Sequence, residues 1–339
     1  MKKLKYGIVG YGWAGKTHAR VINQKLKSLV KLYAVCDIDS EKLAQAKNKY
    51  NVLVTNDFRE LLKYNLDAIS ICTPHYLHFR MAKEAILARL PFLIEKPVVM
   101  LLNESKELLK LIKNDELICG TVLQHRFELA NKLVKQAIIR GDLGKINTTS
   151  VNVKWKKSNE YYNDWHGDKN LCGGGVLLTQ AIHFIDLACW FNEGVKSVYG
   201  KLRYDRKLSV EDSALGIIEF ISGANGTIDC TTSANPGFGS TIEIIGSINS
   251  VKIQEGRIIK WGGMSENDIN KKNEEINYID SQTWGKKYFG YGHIYQIRDF
   301  ISAVIERTPP LVTIEDGLKT LKVILSIEKS WLDKKEVML

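Results

Sequence analysis

A short glycine-rich segment near the N-terminus constrains the fold most. It has the pattern G-x-G-x-x-G, directly after an apolar run and before an amphipathic stretch. In such a segment the first glycine permits a tight turn, the second lets a pyrophosphate approach the backbone, and the third lets a helix pack on a strand. The pattern predicts a dinucleotide-binding turn formed by Gly10, Tyr11, Gly12, Trp13, Ala14 and Gly15.

Asp37 supports this interpretation and predicts the cofactor. It ends the next apolar run, AVCD, 22 residues after Gly15. A carboxylate at that place accepts hydrogen bonds from the adenosine ribose hydroxyls and repels the 2′-phosphate of NADP. We therefore expect NAD, with NADP disfavoured. Structural glycines beside a surface aspartate are the alternative interpretation.

Apolar runs and amphipathic segments alternate up to Gly120, as in a parallel sheet covered by helices. The predicted strands are Tyr6–Val9, Leu32–Cys36, Ala68–Cys72, Phe92–Ile94 and Leu117–Cys119. After Gly120 the pattern predicts four helices and, between the second and third of them, Val-, Ile- and Thr-rich antiparallel strands. These helices cover Gln124–Arg140 (ended by Gly141), Gly173–Phe191, His293–Glu306 and Ile314–Asp333.

Length and composition limit the function classes. A chain of 339 residues exceeds one comfortable core and suggests two domains. The net charge of +10 is spread along the chain, which argues against nucleic-acid binding. Six cysteines without a C-x-x-C pair predict buried free thiols. No signal peptide and no apolar run near 18 residues is apparent, so we expect a cytoplasmic protein that does not bind membranes.

Two polar groups follow predicted strands, where open α/β sheets bind ligands. The first contains Thr73, Pro74 and His78, and the second contains Glu95 and Lys96. A lysine just after a buried strand can act as a tuned acid or donate a hydrogen bond to an alkoxide. Spacing alone leaves a solvated surface lysine equally open.

A third group follows Gly173-Gly174-Gly175. On an α-helix, Thr179, His183 and Asp186 occupy positions i, i+4 and i+7 and share one face. His183 there is either a general base or a satisfied structural histidine. Since no H-x-x-x-H, H-E-x-x-H or cysteine pair accompanies it, we expect no metal site.

Taken together, these groups resemble the glucose-fructose oxidoreductase / inositol dehydrogenase (Gfo/Idh/MocA) family over essentially the entire chain. The marks are GIVGYGWAGKTH, CTPHYLH, EKP, QHRF with RGDLGKI, GGGVLLTQAIHFIDL, and YGHIYQIRDFISAV with PPLVTIEDG. The resemblance implies a Rossmann domain (1–121), then an α+β domain (122–339) with a large, mostly antiparallel open sheet. It also implies that the C-terminal helix can pack against the first domain, and that the protein forms a homodimer or homotetramer through the sheet.

The resemblance also assigns roles to residues. It makes Lys96 contact both substrate and nicotinamide ribose, and it makes His183 the acid/base for the reacting hydroxyl. Thr179 stands where the family often has aspartate, and a neutral hydroxyl cannot supply that charge. Gln124 and Arg126 are placed at the junction of cofactor and substrate, and Trp165 in the substrate pocket.

The implied activity is that of an NAD-dependent dehydrogenase acting on CH–OH donors. It would move a hydride between nicotinamide and a ring carbon of a sugar. NDWHGD followed by GGG-x-L, with a threonine before the helical histidine, is similar to nucleotide-sugar 3-dehydrogenases, and this similarity implies C3 of a nucleotide sugar. The alternatives are an inositol dehydrogenase or keto-sugar reductase, an NAD-assisted glycoside hydrolase, and a non-catalytic NAD-sensing regulator.

Overall fold

The computed structural model describes residues 3–115, 117–206, 208–281 and 290–339. The chain forms two compact units. The first contains Met1–Leu123 and His293–Leu318, and the second contains Gln124–Gly292 and Lys319–Leu339. Residues 293–318, which were expected in the C-terminal domain, thus belong with the first unit.

The first unit begins as an alternation of strands and helices. Its elements are β1 (Leu4–Val9), α1 (Trp13–Lys25), β2 (Val30–Cys36), α2 (Ser40–Tyr50), β3 (Leu53–Thr55), α3 (Phe58–Leu62), β4 (Ala68–Ile71), α4 (His78–Leu87), β5 (Phe92–Ile94), α5 (Leu102–Asp115) and β6 (Cys119–Thr121). The strands form a parallel sheet ordered β3-β2-β1-β4-β5-β6. This is the doubly wound Rossmann order, so the predicted fold class is confirmed for this unit.

The strand order reverses between β1 and β4, and this reversal positions the site. Open α/β sheets bind ligands in the crevice beyond the carboxyl ends of the strands at such a point. The glycine-rich turn follows β1, and Thr73 follows β4.

The second unit continues with helices and a second sheet. Its elements are α6 (Leu129–Arg140), β7 (Ile146–Lys154), α7 (Lys169–Cys172), α8 (Ile182–Phe191), β8 (Val195–Arg203), β9 (Ser213–Phe220), β10 (Asn225–Thr231), β11 (Gly239–Gly246), β12 (Ser250–Gln254), β13 (Arg257–Trp261) and α9 (Glu266–Ser281). The chain then forms α10 (Gly290–Glu306), α11 (Ile314–Asp333) and β14 (Val337–Met338).

The eight strands of the second sheet are ordered β13-β12-β11-β7-β10-β9-β8-β14. β10 pairs with β7 in parallel, and the other described neighbours pair antiparallel. The predicted mostly antiparallel sheet is confirmed.

The two faces of this sheet differ. Burial alternates along β8, β9 and β10, so one face is covered and the other is open. α11 lies on the covered face, where a Cβ on Gly200 would come 2.5 Å from the Ile327 carbonyl oxygen. The open face exposes Tyr199, Leu215 and Ile217, whose exposed fractions are 46%, 53% and 61%.

Two predicted helices begin later than expected. Gly141 ends α6 in the left-handed region with φ 78°, as predicted, but residues Gln124–Phe127 form a separate 3₁₀ turn before it. Gly173 caps α7 with φ 84°, so no helix starts there. The later helix opens with a π-helical turn at Leu177–Ala181 and continues as α8.

The helical stretch Lys169–Phe191 corrects a second expectation. By length and composition it is apolar enough to cross a membrane, although no such run was expected. The structure buries 89% of its most apolar window inside the protein. This burial is the pattern of a core helix.

Candidate active site

The glycine-rich turn has the geometry that its three glycines predict. Gly10 has φ 85°, a left-handed conformation that favours glycine. A Cβ on Gly15 would lie 1.9 Å from the Gly10 carbonyl oxygen, so the helix approaches the turn too closely for any side chain. A Cβ on Gly12 would meet no atom within 4 Å. The open space at Gly12 is what a pyrophosphate needs at the N-terminus of α1.

Asp37 follows β2 and has a second role that the sequence did not reveal. One carboxylate oxygen accepts a hydrogen bond from the Tyr11 backbone N–H, and the other accepts from the Asp39 backbone N–H at 2.9 Å. The Lys42 ammonium lies 4.0 Å away. The carboxylate therefore fixes the turn and also remains a candidate acceptor for ribose hydroxyls.

His78 joins the two polar groups that follow β4 and β5. Its ring nitrogens lie 2.6 Å from the Pro97 carbonyl oxygen and 2.8 Å from the Thr73 carbonyl oxygen. Burial lowers the pKa of this fully buried histidine, while the two carbonyl oxygens, which can only accept hydrogen bonds, oppose that shift. His78 thereby ties the Thr73-Pro74 segment to the segment that carries Lys96. Lys96 itself is half-buried, directly after Glu95 at the end of β5.

Glu95 lies between two histidines. Its Oε1 is 3.4 Å from His18 Nε2 and 3.8 Å from His293 Nε2. Burial alone would raise the pKa of Glu95, but the two imidazoles hold that pKa well below its usual range. A carboxylate held in its ionised form therefore precedes Lys96 in the first unit.

In the second unit, Glu211 holds the start of the helix that carries Thr179 and His183. One carboxylate oxygen accepts from the Gly175 N–H at 2.7 Å, and the other accepts from the Leu177 N–H at 3.1 Å. Thr179 donates its hydroxyl to the Gly175 carbonyl at 2.7 Å. These bonds fix the π-helical turn. Thr179, which stands where the family often has aspartate, therefore has a hydrogen-bond partner within that turn.

His183 is 4% exposed on α8 and packs against a second histidine. The ring centroids of His183 and His125 are 5.0 Å apart. His125 Nδ1 lies 2.6 Å from a carboxylate oxygen of the buried Glu128. His125, which is paired with Glu128, therefore packs against one side of the His183 ring.

Arg126 and Gln124 occupy the 3₁₀ turn that opens this unit. The guanidinium of Arg126 donates two hydrogen bonds to Asp186, at 2.8 and 2.7 Å, and Thr320 donates a third to the same carboxylate. Asp186, which shares the predicted helix face with His183, is thus the buried partner of Arg126. Gln124 is 1% exposed, and its Oε1 has no hydrogen-bond partner among the residues that the structure describes.

Trp165 lies on a short 3₁₀ turn, half-buried in a group of aromatic rings. It stacks on His166 with ring centroids 3.8 Å apart, and His166 in turn lies 4.4 Å from Tyr161. Gln180 of the π-helical turn donates to the Tyr161 hydroxyl at 2.8 Å. This contact links the aromatic group to the helix that carries His183.

Comparison with known proteins now identifies the family. Residues 4–122 match the oxidoreductase family with an NAD-binding Rossmann fold, and residues 131–252 match the GFO/IDH/MocA C-terminal domain. The chain belongs to the Gfo/Idh/MocA oxidoreductase family.

Three proteins illustrate the similarity within this family. The myo-inositol 2-dehydrogenase of Thermotoga maritima is 26% identical over 99% of this chain and 98% of its own. The D-glucoside 3-dehydrogenase of Escherichia coli is 28% identical over 65% of this chain and 68% of its own. The WlbA dehydrogenase of Bordetella pertussis, solved with NADH and UDP-GlcNAcA, has a TM-score of 0.90 and 27% identity over 100% of this chain and 98% of that chain.

This Gfo/Idh/MocA protein is an NAD-dependent oxidoreductase of CH–OH groups, within the sugar and inositol dehydrogenases of the family. The glycine-rich turn fits that cofactor, because the space beyond Gly12 is open and the turn is otherwise closely packed.

Sequence reasoning missed the residues that act across long separations. Glu211 lies 34 residues beyond Leu177, in a loop between two strands, and no local pattern marks it as a cap. His18 and His293 fall within the family marks GKTH and YGHI, but nothing in either segment predicts that both side chains meet Glu95.

Proposed function

We propose that the protein oxidises a ring hydroxyl of a nucleotide sugar, at C3, with NAD as the hydride acceptor. The observation that carries the proposal is the full-length similarity to the WlbA dehydrogenase, which was solved with NADH and a UDP-sugar. The similarity to a D-glucoside 3-dehydrogenase supports C3 as the carbon oxidised.

The aromatic group around Trp165 supports a substrate of this class. The stacked rings of Trp165 and His166 present flat surfaces, and such surfaces bind nucleobases and sugar faces. The Lys157 ammonium lies 5.0 Å from the Tyr161 ring centroid. A cation beside aromatic rings suits the diphosphate of a nucleotide sugar.

The chain's own residues would handle the proton and the charge. Bound NAD supplies the hydride acceptor. His183 takes the proton of the reacting hydroxyl as general base, and its burial limits its access to water. Lys96 donates a hydrogen bond to the same oxygen as that oxygen gains negative charge. Reduction of a keto-sugar would use the same groups in reverse.

Inositol oxidation is the second candidate. The similarity to myo-inositol 2-dehydrogenase covers nearly all of both chains. The two candidates share the chemistry of a ring hydroxyl and differ in the diphosphate and nucleoside, which an inositol lacks.

A substrate screen separates these candidates. NADH absorbance is followed with UDP-sugars, free sugars and inositols, using His183→Ala protein as the matched control. We expect turnover with a UDP-sugar, loss of that turnover in the control, and a 3-keto product by mass spectrometry after borodeuteride reduction. Turnover with inositols alone supports the second candidate, while NAD binding without any turnover contradicts both.

A further inference from the structure

The group formed by His18, Glu95 and His293 is built from distant parts of the first unit. His18 comes from α1, Glu95 directly follows β5, and His293 lies in the first turn of α10. One potential ligand atom from each residue lies within 4.8 Å of the other two. His18 is 0% exposed and His293 is 2% exposed, and 12% of the Glu95 side chain is exposed.

We propose that these three residues bind one divalent transition-metal ion of the zinc class. Two imidazole nitrogens and one carboxylate oxygen form a donor set that zinc uses in proteins. The distances fit as well: a common centre lies about 2.4 Å or less from all three atoms, compared with zinc bonds of about 2.0–2.2 Å. Shifts of a few tenths of an ångström would complete the coordination.

The environment of His18 supports a ligand role. Its Nδ1 lies 2.8 Å from Ser70 Oγ, which lies 2.9 Å from the Tyr6 hydroxyl. Metal-binding histidines commonly use the second ring nitrogen in this way, which fixes the tautomer. With the proton on Nδ1, Nε2 presents a lone pair towards Glu95.

His18 Nε2 lacks a hydrogen bond of ordinary length. It is buried and makes no hydrogen bond among the described residues. Its distance of 3.4 Å to Glu95 Oε1 exceeds the usual range of about 2.7–3.2 Å for such bonds. A buried nitrogen without a hydrogen bond costs free energy, and a metal ion at the common centre would remove that cost.

The sequence motifs predicted no metal site, because each of those motifs has its ligands at short spacings. Here the ligands are separated by 77 and 198 residues of sequence, and only the fold brings them together. An ion at this place would connect α1, the end of β5 and α10 beside Lys96.

The test measures metal binding by the full-length protein. The protein is stripped with EDTA and titrated with Zn²⁺ against a chromophoric chelator, and separately with Co²⁺, whose visible absorption reports coordination by nitrogen and oxygen. We expect one equivalent per chain at micromolar concentration or below. Wild-type protein that binds no Zn²⁺ or Co²⁺ at these concentrations overturns the proposal.

Variants locate the ion. His293→Ala and Glu95→Gln should weaken Zn²⁺ binding at least about a hundredfold, and Ser70→Ala about tenfold, as for loss of a residue that orients a ligand. His166→Ala, in an exposed histidine–aspartate pair of the second unit, is the matched control and should bind like wild type. Circular dichroism confirms that each variant is folded. Binding that survives both ligand variants, or that is lost in the control, places the ion elsewhere and contradicts the proposal.

Discussion

The carboxylate of Asp37 accepts a hydrogen bond from the backbone N–H of Tyr11 at 2.6 Å, across 26 residues of sequence. The residue expected to select NAD therefore also holds the glycine-rich turn in place. These two roles can be separated by comparing cofactors.

Replacing Asp37 with alanine should weaken NAD binding by about tenfold or more, equivalent to ~1.4 kcal/mol. NADP binding should fall less or rise, because the repulsion of the 2′-phosphate is removed. Fluorescence titration of both cofactors measures the ratio. Asp39→Ala is the matched control, since Asp39 caps α2 and should leave the ratio unchanged. Equal weakening of both cofactors in Asp37→Ala would show that the carboxylate acts only on the turn.

Two glycines of the turn should respond differently to the same added methyl group. Gly12→Ala meets open space and has an ordinary φ of −74°, so it should fold normally and bind NAD at least about tenfold more weakly. Gly15→Ala collides with the Gly10 carbonyl oxygen and should cost about 1–3 kcal/mol of stability. Thermal unfolding without cofactor and NAD titration separate these effects. Normal NAD affinity in Gly12→Ala would contradict the placement of the pyrophosphate.

The catalytic residues should rank by the chemistry assigned to each. His183→Ala should lower kcat about a hundredfold to ten-thousandfold, the usual contribution of a general base, with NAD affinity nearly unchanged. Lys96→Ala should be equally severe and should also raise KM. Thr179→Ala should leave kcat within a fewfold of wild type, because its hydroxyl donates to the Gly175 carbonyl and its loss is worth about 1 kcal/mol. Steady-state kinetics on the substrate found by the screen gives the order, and a Thr179→Ala defect as large as that of His183→Ala would reverse our assignment.

Glu211 should make stability depend on pH. Burial raises the pKa of this carboxyl above its usual value, although the N–H groups of Gly175 and Leu177 lower it. The folded protein then binds the proton more strongly than the unfolded chain, so Glu211 contributes most below the unfolded pKa of about 4.5 and its contribution falls as pH rises through the raised folded pKa.

Denaturant unfolding of wild type and Glu211→Gln over this pH range measures that contribution. Glutamine cannot ionise, so the stability difference between the two proteins should change in this range and become constant above it. A difference that stays constant throughout would mean that Glu211 has an unperturbed pKa.

The open face of the second sheet should bury its apolar residues in a homodimer or homotetramer. Ile217 is 61% exposed on β9, opposite Tyr199 on β8. A lysine at Ile217 would place a charge in that interface, so Ile217→Lys should shift the mass measured by light scattering towards the monomer. Ile139→Lys, on the exposed side of α6, is the control and should not change the mass. A wild-type monomer at micromolar concentration would contradict the expectation.

Local patterns predicted much of the fold. The glycine spacing depends on adjacent residues, so the turn and α1 could be read from the sequence, and α11 matches its predicted range of Ile314–Asp333. β3 was missed although the equally short β5 was predicted, because β3 is an edge strand with no buried residue, whereas all three residues of β5 are buried. α9 was missed because its sequence, ENDINKKNEEINYIDS, is mostly polar and shows little apolar periodicity.

The site was predictable only where a role depends on local sequence. Asp37 could be assigned to the cofactor from its distance to the glycines, but its bond to Tyr11 could not, since it depends on how β1 and β2 pair. The i, i+4 relation of Thr179 and His183 was read as one α-helical face. The π-helical turn changes that spacing, because it has more residues per turn, and it depends on contacts such as those of the distant Glu211.

The division of the first unit into two chain segments limits how the protein can be dissected. Gln296, in the later segment, accepts a hydrogen bond from the Leu123 N–H and donates one to the Thr121 carbonyl. A recombinant fragment that stops at Leu123 would leave both backbone groups at the edge strand without this partner. The cofactor-binding half of the protein is therefore complete only after the ribosome has synthesised strands β7 to β13 of the second sheet, so domain truncation and domain exchange would have to include α10 with the N-terminal segment.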